Sequence, residues 1–318
     1  MEIREIRDVG ELYRAISDNM EQVIYGKHQQ IRLILTAFFA GGHLLLDDIP
    51  GTGKTSLARA LAKSVRAECK RVQFTPDLLP ADLTGINWYN QKEGRFEFRP
   101  GPVFTNILIA DEINRATPRT QSALLECMGE GQITVDGETR NPPAPFFVIA
   151  TQNPVESQGT FPLPEAQLDR FFARLSVGYP EPEAEKRMLL AYEQTSPREA
   201  VHPICDRESV CDAMRLVRQV HVSDCIRDYL VAIVSETRRD ARLRLGVSPR
   251  GTLALMRAAQ AYAACEGRDY VLPDDVKVLA VPVLAHRVLL RSQNTVRLTD
   301  TAENVIALIL DTLPAPIA

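Results

Sequence analysis

The chain has 318 residues, of which 45% are apolar and 25% charged, the composition of an ordinary soluble globular protein with room for two domains. A net charge of −4 and an isoelectric point near 5.8 give no electrostatic basis for nucleic-acid binding. The longest nearly apolar run, residues 33–46, is too short to span a bilayer, and the charged first residues lack the apolar core of an export signal. With six scattered cysteines that we interpret as reduced thiols, these features predict a cytoplasmic protein without an integral membrane segment.

Two segments with helical periodicity, residues 11–22 and 27–40, open the chain and are separated by Ile24, Tyr25 and Gly26. The run GTGKT at residues 51–55 is typical of a phosphate-binding loop. In ATPases with such a loop, an apolar segment just before the first core strand commonly packs on the base, so this break is a candidate adenine contact. Core packing of Ile24 and Tyr25 is an equally good alternative. The chain has no Asn-Lys-x-Asp motif for reading guanine, which favours ATP over GTP.

Residues 44–55, LLLDDIPGTGKT, carry the strongest motif. The three leucines predict a buried parallel strand, and the apolar spacing of residues 55–65 predicts a helix. Glycines between them let backbone N–H groups approach an anion, and the N-terminus of a helix adds positive partial charge. We therefore predict a phosphate-binding loop whose nucleotide contacts come from Pro50, Gly51, Thr52, Gly53, Lys54, Thr55 and Ser56.

Two side chains of this loop have expected roles. Lys54 is expected to lie on the β- and γ-phosphates, and the Thr55 hydroxyl is expected to be a ligand to Mg²⁺. The strict motif has glycine where this chain has Asp48. We expect the loop to tolerate that departure because Gly51, at its tightest part, is present.

The segment after the loop helix begins with a second predicted strand, residues 71–74. A long irregular stretch with several glycines and prolines follows over residues 75–104, and within it residues 96–98 alternate like a short strand. A connection of this length between two core strands is typical of a functional element.

An acidic pair, Asp111-Glu112, follows a buried strand predicted over residues 107–110. An aspartate at the carboxyl end of a parallel strand beside a phosphate loop can hold Mg²⁺, usually through water, and the adjacent glutamate can polarise an attacking water. A third core strand, residues 146–150, leads to Asn153 at the same edge of the sheet. Asn153 is placed there to orient the water or to touch the γ-phosphate.

Between and after these strands the sequence predicts a hairpin over residues 131–140 and a final strand near residues 174–177. Arg170 precedes that strand. Its guanidinium either pairs locally with Asp169 or stabilises the charge on a phosphoryl group bound by a neighbouring subunit.

A linker with two prolines, residues 179–182, separates this part from a remainder that is helical in pattern. Helices are predicted over residues 183–193, 207–220, 223–243, 249–266, 273–290 and 300–313. Arg250 lies in the first turn of one of them, where its charge opposes the helix dipole. A nearby phosphate would reverse that cost, which makes Arg250 a candidate nucleotide sensor; a solvent-exposed arginine is the alternative.

Together these motifs resemble the AAA+ ATPases and, within them, the MoxR family. The diagnostic runs are ADEINRA at residues 110–116, TQSALLE at 120–126, ATQNP at 150–154 and LPEAQLDRF at 163–171. The resemblance implies an α/β fold: residues 1–178 form a P-loop ATPase core, a parallel sheet between helices with a helix-2 insert and a pre-sensor hairpin, and residues 179–318 form an all-α lid.

The resemblance also implies roles for particular residues: Lys54 and Thr55 as the Walker A pair, Asp111 and Glu112 as the Walker B pair, Asn153 as the first sensor, Arg170 as the arginine finger and Arg250 as the second sensor. It implies a homo-oligomeric ring, commonly a hexamer, with Mg-ATP between subunits. Members are thought to remodel protein clients in a chaperone-like way, typically with a partner that carries a von Willebrand factor A domain.

Three alternatives remain open. One is the ATPase subunit of a metal chelatase, which has the same architecture. Another is a nucleic-acid motor, which is disfavoured because the tip of the predicted hairpin, Asp136-Gly137-Glu138, has no basic residue to meet a phosphate backbone. The third, a nucleotide-binding scaffold without turnover, is disfavoured by the presence of Glu112, Asn153 and Arg170.

Overall fold

The structure is a computed structural model that describes residues 2–49, 51–153, 159–194, 200–291 and 301–316. A five-stranded parallel sheet lies at the centre of its first part. In chain order that part contains α1 (Ile6–Glu21), α2 (His28–Phe39), β1 (Leu44–Asp47), α3 (Lys54–Ser64), β2 (Cys69–Gln73), α4 (Pro80–Thr84), β3 (Gly85–Asn90), β4 (Arg95–Pro100), β5 (Ile107–Asp111), α5 (Pro118–Glu130), β6 (Ile133–Val135), β7 (Glu138–Arg140), β8 (Phe147–Gln152), α6 (Glu165–Leu168) and β9 (Ala173–Leu175).

The sheet has the strand order β2-β5-β8-β1-β9, and apolar side chains cover both of its faces. Leu45, Leu108 and Val148 pack into a core on one face, whereas Leu44 and Ile109 belong to a larger core on the other. Strands buried on both sides are near-continuous apolar runs, which is why β1, β5 and β8 could be located from the sequence. The predicted α/β fold is confirmed.

The long stretch between β2 and β5 is more regular than predicted. It contains the short helix α4 and an antiparallel hairpin of β3 and β4, in which Tyr89 pairs with Phe96. The alternation over residues 96–98 therefore did indicate a strand, whereas the pairing strand 85–90 was missed. A second hairpin, β6–β7, turns at Asp136-Gly137 as predicted, and Asn87 Nδ2 donates to Asp136 Oδ2 at 3.0 Å to join the two hairpins.

The second part of the chain is mostly helical. It was predicted to be all-α, but it also contains two short strands. Its elements are α7 (Pro182–Gln194), α8 (Arg207–Val217), α9 (Asp224–Arg239), β10 (Leu243–Leu245), α10 (Pro249–Cys265), α11 (Pro273–Leu284), β11 (Leu289–Leu290) and α12 (Ala302–Thr312). The helices predicted to end at 243 and 290 are too long, because β10 and β11 form an antiparallel pair. The Asp240 carboxylate accepts a hydrogen bond from the backbone N–H of Arg242 at 2.8 Å, which favours a turn over further helix.

Buried ionic and polar contacts join the two parts. Arg287, after α11, is almost fully buried and donates from Nε to Asp169 Oδ1 at 2.9 Å and from Nη2 to the carbonyl of Phe171 at 2.5 Å. Asn19 of α1 donates to Ser64 Oγ at 2.9 Å and to the carbonyl of His202 at 2.7 Å. Of the helices described, none combines the length and apolar character needed to cross a membrane.

Candidate nucleotide-binding site

A cavity of about 300 Å³ opens at the carboxyl ends of β1, β5 and β8. It is lined by Asp48, Gly51, Gly53, Lys54, Thr55, Ser56, Arg71, Gln73, Asp111, Glu112, Thr151, Gln152 and Asn153. Parallel strands place the residues that follow them at one edge of a sheet. The loop, both acids and Asn153 predicted from three separate segments therefore surround one space.

The loop between β1 and α3 has the backbone expected of an anion cradle. Gly51 and Gly53 have φ values of +88° and +86°, in the left-handed region that favours glycine. Gly53 is also the N-cap of α3, so no side chain caps the first N–H groups of that helix, which remain available to an anion. Pro50, predicted to contact the nucleotide, lies outside the described residues.

Lys54 bends back over this loop. Its ammonium donates to the carbonyls of Asp48 at 2.9 Å and Ile49 at 3.1 Å. Partial burial lowers the pKa of Lys54, and the nearby carboxylates of Asp48, Asp111 and Glu112 oppose that shift. A cation held at the mouth of a cavity by neutral carbonyls can exchange them for phosphate oxygens.

Asp48, the departure from the glycine motif, is a buried structural residue. Its carboxylate accepts hydrogen bonds from Ser176 Oγ at 2.9 Å and from the backbone N–H groups of Val177 at 2.5 Å and Gly178 at 3.1 Å. The φ of Asp48 is not among the positive values of the described residues, so this position does not need glycine. Asp48 thus ties the start of the loop to the chain that leaves β9.

The two acids have neighbours that sequence reasoning missed. Asp111 is nearly buried and pairs with Arg71, whose Nε lies 2.6 Å from Oδ2, while Thr151 Oγ1 donates to Oδ1 at 3.2 Å. Glu112 accepts from Gln73 Nε2 at 2.6 Å. The only sequence signal was the alternation that places residues 71 and 73 on one side of the strand predicted over residues 71–74. The neighbouring position of that strand and the strand of the acids comes from the structure.

Glu112 has an unusual backbone conformation and, besides Gln73, a cationic neighbour. Its φ is +56°, a conformation that costs free energy outside glycine and is found preferentially at functional sites. Arg115, to which no role was assigned from the sequence, places Nε 3.0 Å from Glu112 Oε2. The Glu112 backbone N–H donates to Thr151 Oγ1 at 2.9 Å, so β8 helps to hold this conformation.

The oxygen atoms around the cavity fit Mg²⁺ bound together with phosphate. Mg²⁺ prefers six oxygen ligands and usually takes one or two from the protein and the rest from phosphates and water. Thr55 and Asp111 line the same cavity and supply a hydroxyl and a carboxylate. Within the described ranges no cluster of three or more His, Cys, Asp or Glu side chains could hold a metal by itself.

A smaller, mostly apolar cavity adjoins the first across α3. Its lining consists of Val23, Ser56, Arg59, Ala60, Lys63, Tyr192 and Val201, and Ser56 also lines the first cavity. Ile24 packs in the core, Tyr25 is partly buried, and a Cβ on Gly26 would lie 2.6 Å from Ala184 Cβ. Val23, and not Ile24 or Tyr25, lines this cavity, so an adenine contact from Ile24, Tyr25 and Gly26 stays a prediction.

The two arginines predicted to act on phosphate lie together in another cleft, between the sheet domain and α10. That cleft is lined by Arg170, Arg250, Arg257 and Arg287, with Asp169 and His43 among the other residues. Arg170 Nη1 donates to the carbonyl of Leu125 at 2.8 Å, and the alternative of a local pair with Asp169 is wrong because Asp169 pairs with Arg287 and Ser248. Neither Arg170 nor Arg250 lines the cavity that contains Lys54.

Comparison with known proteins gives matches along most of the chain. Residues 43–173 match a family model for ATPases associated with various cellular activities (AAA), and residues 235–306 match a model for the AAA lid domain. The chain is 37% identical to the chaperone MoxR1 of Mycobacterium tuberculosis over 97% of its length and 83% of the relative. It is 52% identical to the uncharacterized protein YeaC of Bacillus subtilis, with 87% and 86% covered. A crystal structure from Cytophaga hutchinsonii, described as a candidate ATPase, superposes with a TM-score of 0.90 at 35% identity and covers 98% of this chain and 96% of that one.

Proposed function

Because the chain belongs to the MoxR family of AAA+ ATPases, we propose that it binds and hydrolyses Mg-ATP between the subunits of a ring to remodel a protein client. The observation that carries this proposal is the convergence of Lys54, Thr55, Asp111, Glu112 and Asn153 on one cavity. A nucleotide-binding scaffold would need only the first two of these side chains.

Each residue has a role that follows from its position. Lys54 and the N–H groups around Gly53 bind the phosphates, and Thr55 and Asp111 hold the cation, which neutralises charge on the β- and γ-phosphates when it is bound. Glu112 accepts a proton from, or orients, the attacking water. Asn153 positions that water or the γ-phosphate from the neighbouring strand.

The adjoining apolar cavity is the proposed site for the base. Val23 and Val201 offer apolar contacts, and Tyr192 offers a ring that lies next to them. Ser56 borders both cavities, so a nucleotide whose phosphates lie at Gly53 can extend around α3 to reach the base cavity. Tyr25 and Gly26 remain proposed contacts at its edge.

The arginine cleft supports the proposed ring. Arg170, Arg250 and Arg257 line one cleft, and none of them has a carboxylate partner among the described residues. The one acid that lines the cleft among the described residues, Asp169, pairs with Arg287, so the other three guanidinium groups leave a positive charge that attracts a polyanion. A triphosphate bound at Lys54 of a neighbouring subunit would supply that charge, which is the arrangement expected of a hexamer with shared ATP sites.

The remaining proposals concern partners and rest on membership of the family. We propose a cytoplasmic location, a protein client and a partner with a von Willebrand factor A domain. The acidic tip of the β6–β7 hairpin, where Asp136 is hydrogen-bonded to Asn87, favours a protein over a nucleic acid. The partner can be sought among proteins that co-purify with a Glu112→Gln variant.

The first experiment separates binding from turnover. Calorimetry should detect Mg-ATP binding to the wild type, and Glu112→Gln should bind ATP as well as the wild type while its turnover falls by about 10²-fold or more, because general-base catalysis typically contributes 10²–10⁴-fold. Glu130→Gln, which removes an exposed carboxylate at the end of α5, is the matched control and should keep its turnover. Unchanged turnover in Glu112→Gln would remove Glu112 from the mechanism.

The second experiment tests whether arginines act between subunits. Arg170→Ala should abolish turnover, and Lys54→Ala should abolish nucleotide binding. Mixing the two variants should restore activity, because a Lys54→Ala subunit still presents Arg170 to a neighbour that binds ATP. Arg239→Ala, on α9 and outside the cleft, is the control and should be active alone. Absence of rescue in mixtures shown to co-assemble would contradict a shared site.

A further inference from the structure

The carboxylate proposed to hold Mg²⁺ already has a cation beside it. Arg71 Nε lies 2.6 Å from Asp111 Oδ2, and Thr151 Oγ1 donates to the other oxygen at 3.2 Å. Arg71 belongs to β2, the edge strand of the sheet, and it lines the same cavity as Lys54 and Thr55. No sequence motif pointed to Arg71, so its contact with Asp111 needs its own explanation.

A comparison with a second arginine–aspartate pair shows what kind of contact this is. The Arg287 side chain is 2% exposed and donates to Asp169 and to the carbonyls of Phe171, Phe172 and Val283, so it is a permanent part of the structure. The Arg71 side chain is 50% exposed, and Asp111 is its one hydrogen-bond partner among the described residues. Moving Arg71 away from Asp111 would break one hydrogen bond and bury no guanidinium, because the guanidinium can move directly into water. The Asp111 carboxylate that it leaves would then need another cation.

The two cations compete for the same charge. Asp111 is nearly buried, so its charge is balanced by Arg71 as long as no other cation is present. Mg²⁺ or its bound water needs an oxygen of this carboxylate, and two positive groups at one carboxylate repel each other. An arginine that is half in water is the group that can leave.

We infer that Arg71 is a replaceable counter-ion of the Mg²⁺ site: it holds Asp111 in place in the nucleotide-free protein and is displaced when Mg-nucleotide binds. The inference rests on the proposed Mg-ATP site and adds a residue that positions the metal ligand and sets how much Mg²⁺ the site requires. Arg71 acts through Asp111 and takes no part in the chemical step.

The test measures nucleotide binding without turnover. The affinity of a fluorescent ADP analogue is measured by titration in EDTA and at increasing Mg²⁺, and the Mg²⁺ concentration that gives half of the affinity increase is recorded for the wild type and for Arg71→Gln. We expect that midpoint to fall about two- to five-fold in Arg71→Gln, the range that corresponds to breaking a partly exposed ion pair. Affinity in EDTA should not change, because Arg71 does not contact the phosphates in this scheme.

Two further variants keep the test specific. Lys70→Gln removes the same charge from the next residue of β2, where Lys70 Nζ donates to the carbonyl of Phe104 instead, and its midpoint should match the wild type. Arg71→Lys keeps the charge and should shift the midpoint less than Arg71→Gln. Thermal unfolding of all three confirms that they are folded.

Each outcome of the titrations either supports or overturns the proposed role of Arg71. An unchanged Mg²⁺ midpoint in Arg71→Gln would overturn the inference. A raised midpoint would overturn it as well, because it would show that Arg71 helps to hold the metal complex. A loss of affinity in EDTA would show that Arg71 binds phosphate directly and would overturn it too. If the wild type bound no Mg-nucleotide, the proposed function would fail first, so the two failures are distinguishable.

Discussion

Replacing Asp48 by glycine would restore the strict phosphate-loop motif, yet the structure predicts that Asp48→Gly destabilises the protein. The carboxylate accepts three hydrogen bonds, from Ser176 Oγ and from the N–H groups of Val177 and Gly178. Glycine would leave the two backbone donors without a partner. Since φ at residue 48 is not positive, glycine would bring no conformational relief in return.

The magnitude follows from burial. Val177 is 2% exposed, so its N–H cannot turn to water, whereas Gly178 is partly accessible. A buried donor left unsatisfied costs about 1–3 kcal/mol, which gives about 2–4 kcal/mol for the two together. The greater backbone freedom of glycine in the unfolded chain adds up to about 1 kcal/mol.

The assay is urea unfolding of the nucleotide-free protein followed by circular dichroism, with m-values compared to detect any departure from two-state behaviour. Ser176→Ala is the control, because it removes only the hydrogen bond from an exposed hydroxyl and should cost less than about 1 kcal/mol. If Asp48→Gly were as stable as the wild type, the three hydrogen bonds would make no net contribution and the glycine motif would be the better guide to this loop.

Two other predictions concern buried charges. Asp169→Asn should lower the free energy of unfolding by about 3–5 kcal/mol, because it leaves the buried Arg287 without its carboxylate. Asp212→Asn, in the exposed pair with Arg215, should change the free energy of unfolding by less than about 1 kcal/mol. Urea unfolding measures both values, and similar losses in the two variants would contradict the expected effect of burial. Burial lowers the pKa of His43 to about 4, and its Nδ1 accepts from the backbone N–H of Val148 at 3.1 Å, so the folded protein holds this imidazole neutral. Between the unfolded pKa of about 6.5 and pH 4 the unfolded chain binds more protons, so stability should fall by up to about 3 kcal/mol as the pH is lowered through that window. His43→Asn should make the fall shallower without abolishing it, because burial also lowers the pKa of His286, and an unchanged slope would contradict the assignment.

The parts of the site that were predictable are those encoded within a few residues of each other. The leucines of β1 and the glycines of the loop specify a buried strand and a left-handed turn locally, and Asp111 follows its strand directly. Their convergence could be predicted because all parallel strands deliver their carboxyl ends to one edge. At these positions, residues that are close together in the chain also act together in the site.

What was missed depends on partners far apart in the chain. Asp48 looked like a defect because its three donors lie about 130 residues away. Arg71 gave no signal beyond its strand position, because its partner lies on the next strand of the sheet. Arg250 was correctly placed in the first turn of a helix, but only the packing of α10 on the sheet domain puts it beside Arg170. The lid strands β10 and β11 are too short to interrupt a helical pattern visibly.

The division of charge between the two clefts gives the strongest argument for a shared site. The cavity at Lys54 contains acids that can hold a cation and orient water, whereas Arg170 and Arg250 line the other cleft. Within the described residues of one chain, neither of the two arginines predicted to act on phosphate therefore lies at that chain's own nucleotide cavity. Phosphoryl transfer needs positive charge at the terminal phosphate as well as an oriented water. One subunit is therefore expected to bind nucleotide well and hydrolyse it poorly, and the arginine cleft becomes useful only when it meets the phosphates of another copy. This arrangement would make hydrolysis depend on assembly, without a separate regulatory element.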